Sequence, residues 1–179
     1  IGIPVDFARA DSELSAALTR GAVFFDRDGV LNHDDGYTYR CEDFRWTEGA
    51  VDAIKRCNDS GRFVFVVTNQ AGVARGKYGE EEVKKLHAFM NSELRKQGAH
   101  VDDFRYCPHH PDAVTVELRG PCTCRKPLPG MIERACRELS IDPTRSYMVG
   151  DRIIDVRCGQ AAGARSILDR KSTRLNSSH

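Results

Sequence analysis

Ala22-Val23-Phe24-Phe25-Asp26-Arg27-Asp28-Gly29 is the stretch on which the fold turns. Its first four residues are continuously apolar and rich in β-branched and aromatic side chains, the pattern of a strand covered on both faces, and the run stops abruptly at charge. Two carboxylates at i and i+2 then emerge on one side of the chain, and Gly29 permits a sharp turn beneath them. Crowded carboxylates repel unless a cation lies between them, and hard oxygen ligands of this kind suit Mg²⁺. An isolated D-x-D-G also occurs as a solvated turn, so the rest of the chain decides its meaning.

Working outward, Phe63-Val64-Phe65-Val66-Val67 is a second buried run and ends at Thr68-Asn69-Gln70, a hydroxyl and two amides that could equally cap a helix. Between the two runs, Gly49 to Ser60 carries Val51, Ile54 and Cys57 at helical spacing, with Gly61 where a C-terminal cap belongs. This is a strand–helix–strand unit. Glu80 to Gln97 repeats the helical pattern through Val83, Leu86, Phe89, Met90 and Leu94 and closes at Gly98; Met131 to Leu139 follows Pro129-Gly130. Tyr147-Met148-Val149 and Ser166-Ile167-Leu168 read as later strands, separated by a helix from about Ile154 to Ala162 that closes at Gly163. Alternation of this kind predicts an α/β, Rossmann-like parallel sheet with helices on both faces, whose ligands sit at the carboxyl ends of the strands. Gly150-Asp151-Arg152, with Asp155 beyond it, places more carboxylates at such an end. Arg125-Lys126-Pro127 offers a compact ammonium for a phosphate oxygen, though alone it is surface charge.

Length and composition narrow the classes of function. One domain with a full core is expected from 179 residues of which 40% are hydrophobic. Lys and Arg total 27 against 26 Asp and Glu, so no net field draws in nucleic acid or an anionic membrane, and no basic stripe is interleaved with aromatics. A small metabolite is the better partner, and a monomer is the expected state. No apolar run approaches the roughly 20 residues that span a bilayer, and the N-terminus lacks the pattern of a secretory signal, so the cytoplasm is the expected compartment. The first residue is Ile1, and the chain is expected to begin inside an open reading frame or after processing; residues 1–20 read as an extension of a domain covering 21–169. The polar stretch KSTRLNSSH, residues 171–179, resembles translated adapter read-through, so residues 170–179 are set aside as an artefactual tail.

Seven cysteines is an odd number, and Cys107, Cys122 and Cys124 lie near His109 while the others are scattered. Cys107-Pro-His109 and Cys122-Thr-Cys124 form C-x-H and C-x-C pairs separated by residues 110–121. Four such ligands close a tetrahedral Zn²⁺ site and leave no position for a reacting water, which makes the metal structural. His110 competes with His109 for the fourth position, and His109 is preferred. The cluster ends beside Arg125-Lys126, so zinc is expected to pin the loop that presents these cations.

Taken in order, strand–D-x-D-G, strand–T-N-Q, a lysine before a helix and strand–G-D-x-x-x-D resemble the four motifs of haloacid dehalogenase superfamily phosphatases over residues of about 20 to 169. The resemblance implies that Asp26 is the nucleophile and forms an aspartyl phosphate, and that Asp28 is general acid and then general base. It further implies that Asp26, the backbone carbonyl of Asp28, and Asp151 hold Mg²⁺, that Thr68 and Lys126 clamp the phosphoryl group, and that Asp155 orients its neighbours. D-R-D-G-V-L-N, D-D-G-Y, T-N-Q-A-G-V-A-R-G, C-P-H-H-P, C-R-K-P-x-P-G-M and Y-M-V-G-D-R narrow the resemblance to the D-glycero-D-manno-heptose 1,7-bisphosphate 7-phosphatases and their relatives, the histidinol-phosphate phosphatases. In the heptose family, the segments matching Asp34-Asp35-Gly36-Tyr37 and Thr68-Asn69-Gln70-Ala71, together with Arg125, Lys126 and Arg152, hold substrate. Asp35 departs from the histidine common there and Arg152 from a lysine.

A bisphosphate needs cations beyond the catalytic lysine, which Arg125 and Arg152 can supply. Histidinol phosphate carries an ammonium, for which Asp34 and Asp35 are available. Only the short Asn32 to Trp46 segment and the zinc loop are at hand to cover the site, which predicts a minimal cap. A phosphomutase or phosphotransferase would share the aspartyl phosphate. A zinc-stabilised, non-catalytic binding module is the reading of a different class, and intact catalytic motifs oppose it.

Overall fold

The two faces of the first strand decide where the helices go. In the computed structural model, which describes residues 18–169 together with residues 9, 13 and 14, β1 is Ala22–Phe25 and every residue in it is buried. Val23 and Phe25 point to one side, where they pack with Val64 and Val66 against Ile54, Leu86, Met90 and Leu94. Ala22 and Phe24 point to the other, where they meet Phe65, Val67, Met148, Met131, Ile132 and Ala135. A strand with apolar neighbours on both faces has no polar position to alternate with, which is why these runs are continuous in the sequence.

Among the described residues, five parallel strands form the sheet: β1, β2 (Phe63–Asn69), β3 (Asp103–Cys107), β4 (Tyr147–Gly150) and β5 (Arg165–Leu168), in the order β3-β2-β1-β4-β5. Helices α1 (Ala50–Asp59) and α3 (Glu80–Lys96) cover one face. Helices α4 (Gly130–Glu138) and α5 (Ile153–Ala161) cover the other, and the four-residue α2 (Ala71–Ala74) follows β2 directly. Gly61, Gly98 and Gly163 follow the ends of α1, α3 and α5 with φ of 75°, 71° and 80°, the left-handed position that closes a helix. The expected α/β class, with helices on both faces, is the one observed. Strand order reverses between β1 and β4, and the crevice beyond their carboxyl ends is where such a sheet takes its ligand.

β3 and α2 were not anticipated. β3 is an edge strand with four half-buried residues and the mixed sequence DFRYC, so it lacks the apolar run that marks β1 and β2. One turn of helix is too short to display a period. The segment between β1 and α1 is short: Asn32 bridges Trp46, one turn of 3₁₀ helix spans Cys41–Asp43, and Phe44 anchors it through ring contacts of 4.8 Å to Trp46 and 6.1 Å to Phe89. Among the described residues this is the whole cap over the β1 end. No helix there is long and apolar enough to cross a membrane. The expected extension, residues 1–20, is described only at 9, 13, 14 and 18–20, and the expected tail, residues 170–179, lies outside the described residues.

Candidate active site

Asp26 follows β1 directly, and its amide donates to the Val149 carbonyl of β4 at 2.9 Å, so the acid leaves the sheet at the switch point. Gly29 turns the chain back with φ of 83°, and a Cβ there would stand 2.5 Å from Asp151 Oδ2. Gly150 plays the matching part on β4, where a Cβ would stand 2.1 Å from the Cβ of Asp155. The two glycines thus admit a close approach of acids: carboxylate oxygens of Asp26, Asp151 and Asp155 lie within 4.8 Å of one another.

Lys126 reaches into this group. Its Nζ is 2.8 Å from Asp26 Oδ1 and 2.6 Å from Asp155 Oδ1, with Lys126 itself 2% exposed. Burial works against the lysine's charge, but Asp26 and Asp155 outweigh it and hold the ammonium above its ordinary range. For Asp26 burial wins: despite Lys126, its carboxyl is pushed up to about 7, with Asp155 and Asp28 adding to the rise. The lysine is aimed by Asn69, which accepts from the Lys126 amide at 3.0 Å and donates to its carbonyl at 3.1 Å. Asn69 therefore clasps the main chain of Lys126 at the end of β2.

Asp28 accepts five hydrogen bonds, three from Arg27, one from Asn32 and one from Gln70. Arg27 is fully buried; its guanidinium also donates to the Thr38 carbonyl at 2.7 Å and lies 3.3 Å from His87 Nε2. Because arginine only donates, His87 is the acceptor, and burial followed by the Arg27 charge pulls the imidazole down to about 3. Gln70 donates to Thr68 Oγ1 at 2.9 Å and accepts from the Tyr78 hydroxyl at 2.6 Å. Arg27, His87 and Tyr78 were missed by the sequence reading. An arginine between two aspartates looks solvated, and the neutral partner that keeps it buried comes from α3, far along the chain.

A cavity of about 260 Å³ opens above these groups. Asp26, Asp28, Thr68, Lys126 and Asp151 line it, and so do Asp34, Gly36, Tyr37, Asn69, Gln70, Ala71 and Arg152. Two residues expected at the substrate stand elsewhere. Asp35 is exposed and pairs with Arg45. Arg125 donates to the His109 carbonyl at 3.0 Å and lines the neighbouring cleft with His110 and Arg119.

The second cluster lies where β3 ends, beside Asn69 in register. Cys107 Sγ is 3.0 Å from Cys124 Sγ, 3.7 Å from Cys122 Sγ and 3.6 Å from His109 Nδ1. Zinc–sulfur bonds of about 2.3 Å at tetrahedral angles separate two sulfurs by roughly 3.8 Å, so the four side chains fit Zn²⁺ with small adjustments. The hydrogen bond between Cys107 and Cys124 pulls the Cys124 thiol down to about 5 while that of Cys107 is pushed up, as when two sulfurs share one negative charge. His110 turns away toward Arg75. The loop is also tied to α4: a Cβ on Gly130 would stand 2.4 Å from the Thr123 carbonyl, which its amide meets at 2.9 Å.

Comparison with known proteins agrees with this arrangement. A family model described as "HAD-hyrolase-like" matches residues 123–173. The D-glycero-beta-D-manno-heptose-1,7-bisphosphate 7-phosphatase of Rhodopseudomonas palustris is 45% identical over 149 residues, covering 83% of each chain. The chain belongs to the heptose-1,7-bisphosphate 7-phosphatase family. A heptose-1,7-bisphosphate 7-phosphatase named for the alpha anomer, from Photorhabdus laumondii, is 41% identical over 140 residues, 78% of this chain and 76% of that one. Among solved structures, the D,D-heptose 1,7-bisphosphate phosphatase of B. bronchiseptica complexed with magnesium and phosphate superposes with a TM-score of 0.76 at 31% identity, covering 88% of this chain and 87% of that one. As a member of this family the chain is a phosphatase of the haloacid dehalogenase type, a class that uses Mg²⁺.

Proposed function

We propose that the unit spanning residues 21–169 removes the 7-phosphate from D-glycero-D-manno-heptose 1,7-bisphosphate through a phosphoryl group carried on Asp26. The observation that carries the chemistry is the buried Asp26 held against Lys126, with Asp28 two residues on and both acids lining one cavity. Lys126 and the Arg27 amide both engage Oδ1 of Asp26, which leaves Oδ2 to attack phosphorus. The new Oδ2–P bond replaces the bond from phosphorus to the C7 oxygen. Asp28 delivers a proton to that oxygen, then takes one from the water that attacks phosphorus, releases inorganic phosphate and restores Asp26. To act as an acid Asp28 must give up at least one of its five donors. Thr68 and Lys126 hold the phosphoryl oxygens.

Asp26, the Asp28 carbonyl and Asp151 would hold Mg²⁺, which neutralises charge on the transferring group. Asp155 fits a positioning part, because its Oδ1 is taken by Lys126 and its Oδ2 accepts from the Arg152 amide at 3.0 Å. Zn²⁺ on Cys107, His109, Cys122 and Cys124 would be structural, and seven free cysteines accord with a reducing, cytoplasmic setting.

Relatives named for the heptose bisphosphate support the substrate, as does Arg152, a second cation in the lining beside Lys126. Histidinol phosphate gains little from this geometry. Asp35 is committed to Arg45, and Asp34 Oδ1 accepts from the Gly36 amide at 3.0 Å. The test is kcat/KM for heptose bisphosphate and histidinol phosphate measured side by side with Mg²⁺, with the product identified by phosphorus NMR. Heptose 1-phosphate and one phosphate per turnover are expected. Faster hydrolysis of histidinol phosphate, or loss of the 1-phosphate, would overturn the reading.

A further inference from the structure

Tyr37 lines the active-site cavity in a backbone conformation that residues with a Cβ seldom adopt. Its φ is 53°, directly after Gly36 at 82°, so the turn that aims the ring at the cavity needs external support. Part of that support is a ring: Tyr78 meets Tyr37 edge-on at 6.3 Å, and its hydroxyl reaches Asp28 through Gln70. The rest is Arg75. One nitrogen of its guanidinium donates to the Tyr37 hydroxyl at 2.7 Å, and the other donates to His110 Nε2 at 3.1 Å.

Arg75 caps the C-terminus of α2, the short helix that follows Thr68-Asn69-Gln70. The zinc-cluster loop docks on the same helix, where the Val114 amide donates to the Ala74 carbonyl at 2.7 Å. His110 is the neighbour of His109, and its amide is bonded within the same loop to the Leu118 carbonyl at 3.0 Å. Arg75 thus joins the only Tyr37 hydroxyl contact among the described hydrogen bonds to a loop fixed by the Cys107 cluster. It stands on the rim between the active-site cavity and the neighbouring cleft, and lines neither.

We propose that Arg75 is a positioning residue that sets specificity for the sugar, by bracing Tyr37 over the cavity against His110 of the zinc-cluster loop. The inference rests on the reading of the substrate given above. Arg75 is exposed and touches none of the reacting groups, so its loss should leave phosphoryl transfer intact and weaken only the hold on the distal part of a large substrate. The two partners sit on two separate nitrogens of one rigid plane, whereas lysine offers a single nitrogen on a flexible stem. The structural metal cluster and the specificity loop would then be one mechanical unit.

The experiment compares wild type, Arg75→Ala, Arg75→Lys, Tyr37→Phe and the double variant Tyr37→Phe/Arg75→Ala, on heptose 1,7-bisphosphate and on p-nitrophenyl phosphate. Arg75→Ala should raise KM for the bisphosphate about three- to tenfold, the size of one modest hydrogen bond, with kcat on p-nitrophenyl phosphate within about twofold. Arg75→Lys should not restore KM, and it serves the same comparison if Arg75→Ala is unstable. In the Tyr37→Phe background, removing Arg75 should add nothing. An unchanged KM, full rescue by lysine, or a full effect of Arg75→Ala without the Tyr37 hydroxyl would overturn the proposal. Failure of the wild type to hydrolyse the bisphosphate would refute the parent reading and this one with it, whereas turnover with a KM indifferent to Arg75 refutes this one alone.

Discussion

Replacing Gly29 by alanine puts two separable loads on the site. The first is backbone strain: φ of 83° costs a residue with a Cβ about 1–2 kcal/mol. At this chain length that lowers Tm by roughly 2–8 °C. The second is local. The new methyl would lie 2.5 Å from Asp151 Oδ2, while ordinary contact begins at 3.4 Å, so the carboxylate must retreat by about 0.9 Å. Displacing a proposed Mg²⁺ ligand by that much should raise the half-saturating Mg²⁺ concentration about 10- to 100-fold, the range seen when support around a metal is lost. Gly61→Ala is the control: φ is 75° there, and nothing lies within 4 Å of the added Cβ. Both variants should melt earlier by similar amounts, and only Gly29→Ala should need more Mg²⁺ in an activity titration. Equal Mg²⁺ requirements in the two variants would refute the argument that Gly29 exists to admit Asp151.

Asp26→Asn should abolish turnover while far-UV circular dichroism stays native, since the shape survives but the attacking oxygen does not; near-normal rates would remove Asp26 as nucleophile. One zinc per chain is expected by elemental analysis, and Cys122→Ser should lower zinc content, Tm and kcat/KM together, because the loop that carries Lys126 loosens. Full activity in zinc-depleted protein assayed with Mg²⁺ would separate the cluster from catalysis. His87 is held neutral, with its pKa pulled from 6.5 to about 3, so the folded state binds fewer protons than the unfolded one in that window. Its contribution to stability is present above pH 6.5 and is lost as pH falls toward 3, by up to roughly 5 kcal/mol. Urea denaturation of His87→Gln, which keeps an acceptor for Arg27, should show a flatter profile between pH 6.5 and 4 than wild type; identical slopes would contradict the assignment.

Much of this was legible in the sequence because the informative residues sit where periodicity breaks. Asp26 and Asp151 each end an apolar run, and a run's end is a strand's end, so the crevice could be placed before any coordinates. The zinc-type cluster was legible for a different reason: two tight pairs of soft ligands have few alternative uses, and the structure brings all four together. The contacts of side chains that can take more than one partner were not legible. Asp35 and Arg125 were expected at the substrate, but Asp35 pairs with Arg45 and Arg125 donates to the His109 carbonyl, and neither lines the cavity. Nor does a pattern announce Asn69 as the clasp on Lys126, since the two are joined across the sheet and not along it.

The crowding of acids at this site has a consequence for the nucleophile. Asp26, Asp28, Asp151 and Asp155 face two buried cations, Lys126 and Arg27. Arg27 pairs with Asp28, and Lys126 is divided between Asp26 and Asp155, so these two buried acids share one buried ammonium. Burial outweighs that share of the ammonium and raises the Asp26 carboxyl to about 7, with Asp155 and Asp28 adding to the rise. A protonated carboxyl is a poor nucleophile. A divalent cation held by Asp26 and Asp151, as proposed above, would favour the ionised Asp26 carboxylate and would also screen phosphate charge. Gly29 serves the same end, because a Cβ there would meet Asp151 Oδ2 at 2.5 Å, while Gly150 leaves room for Asp155 beside Lys126.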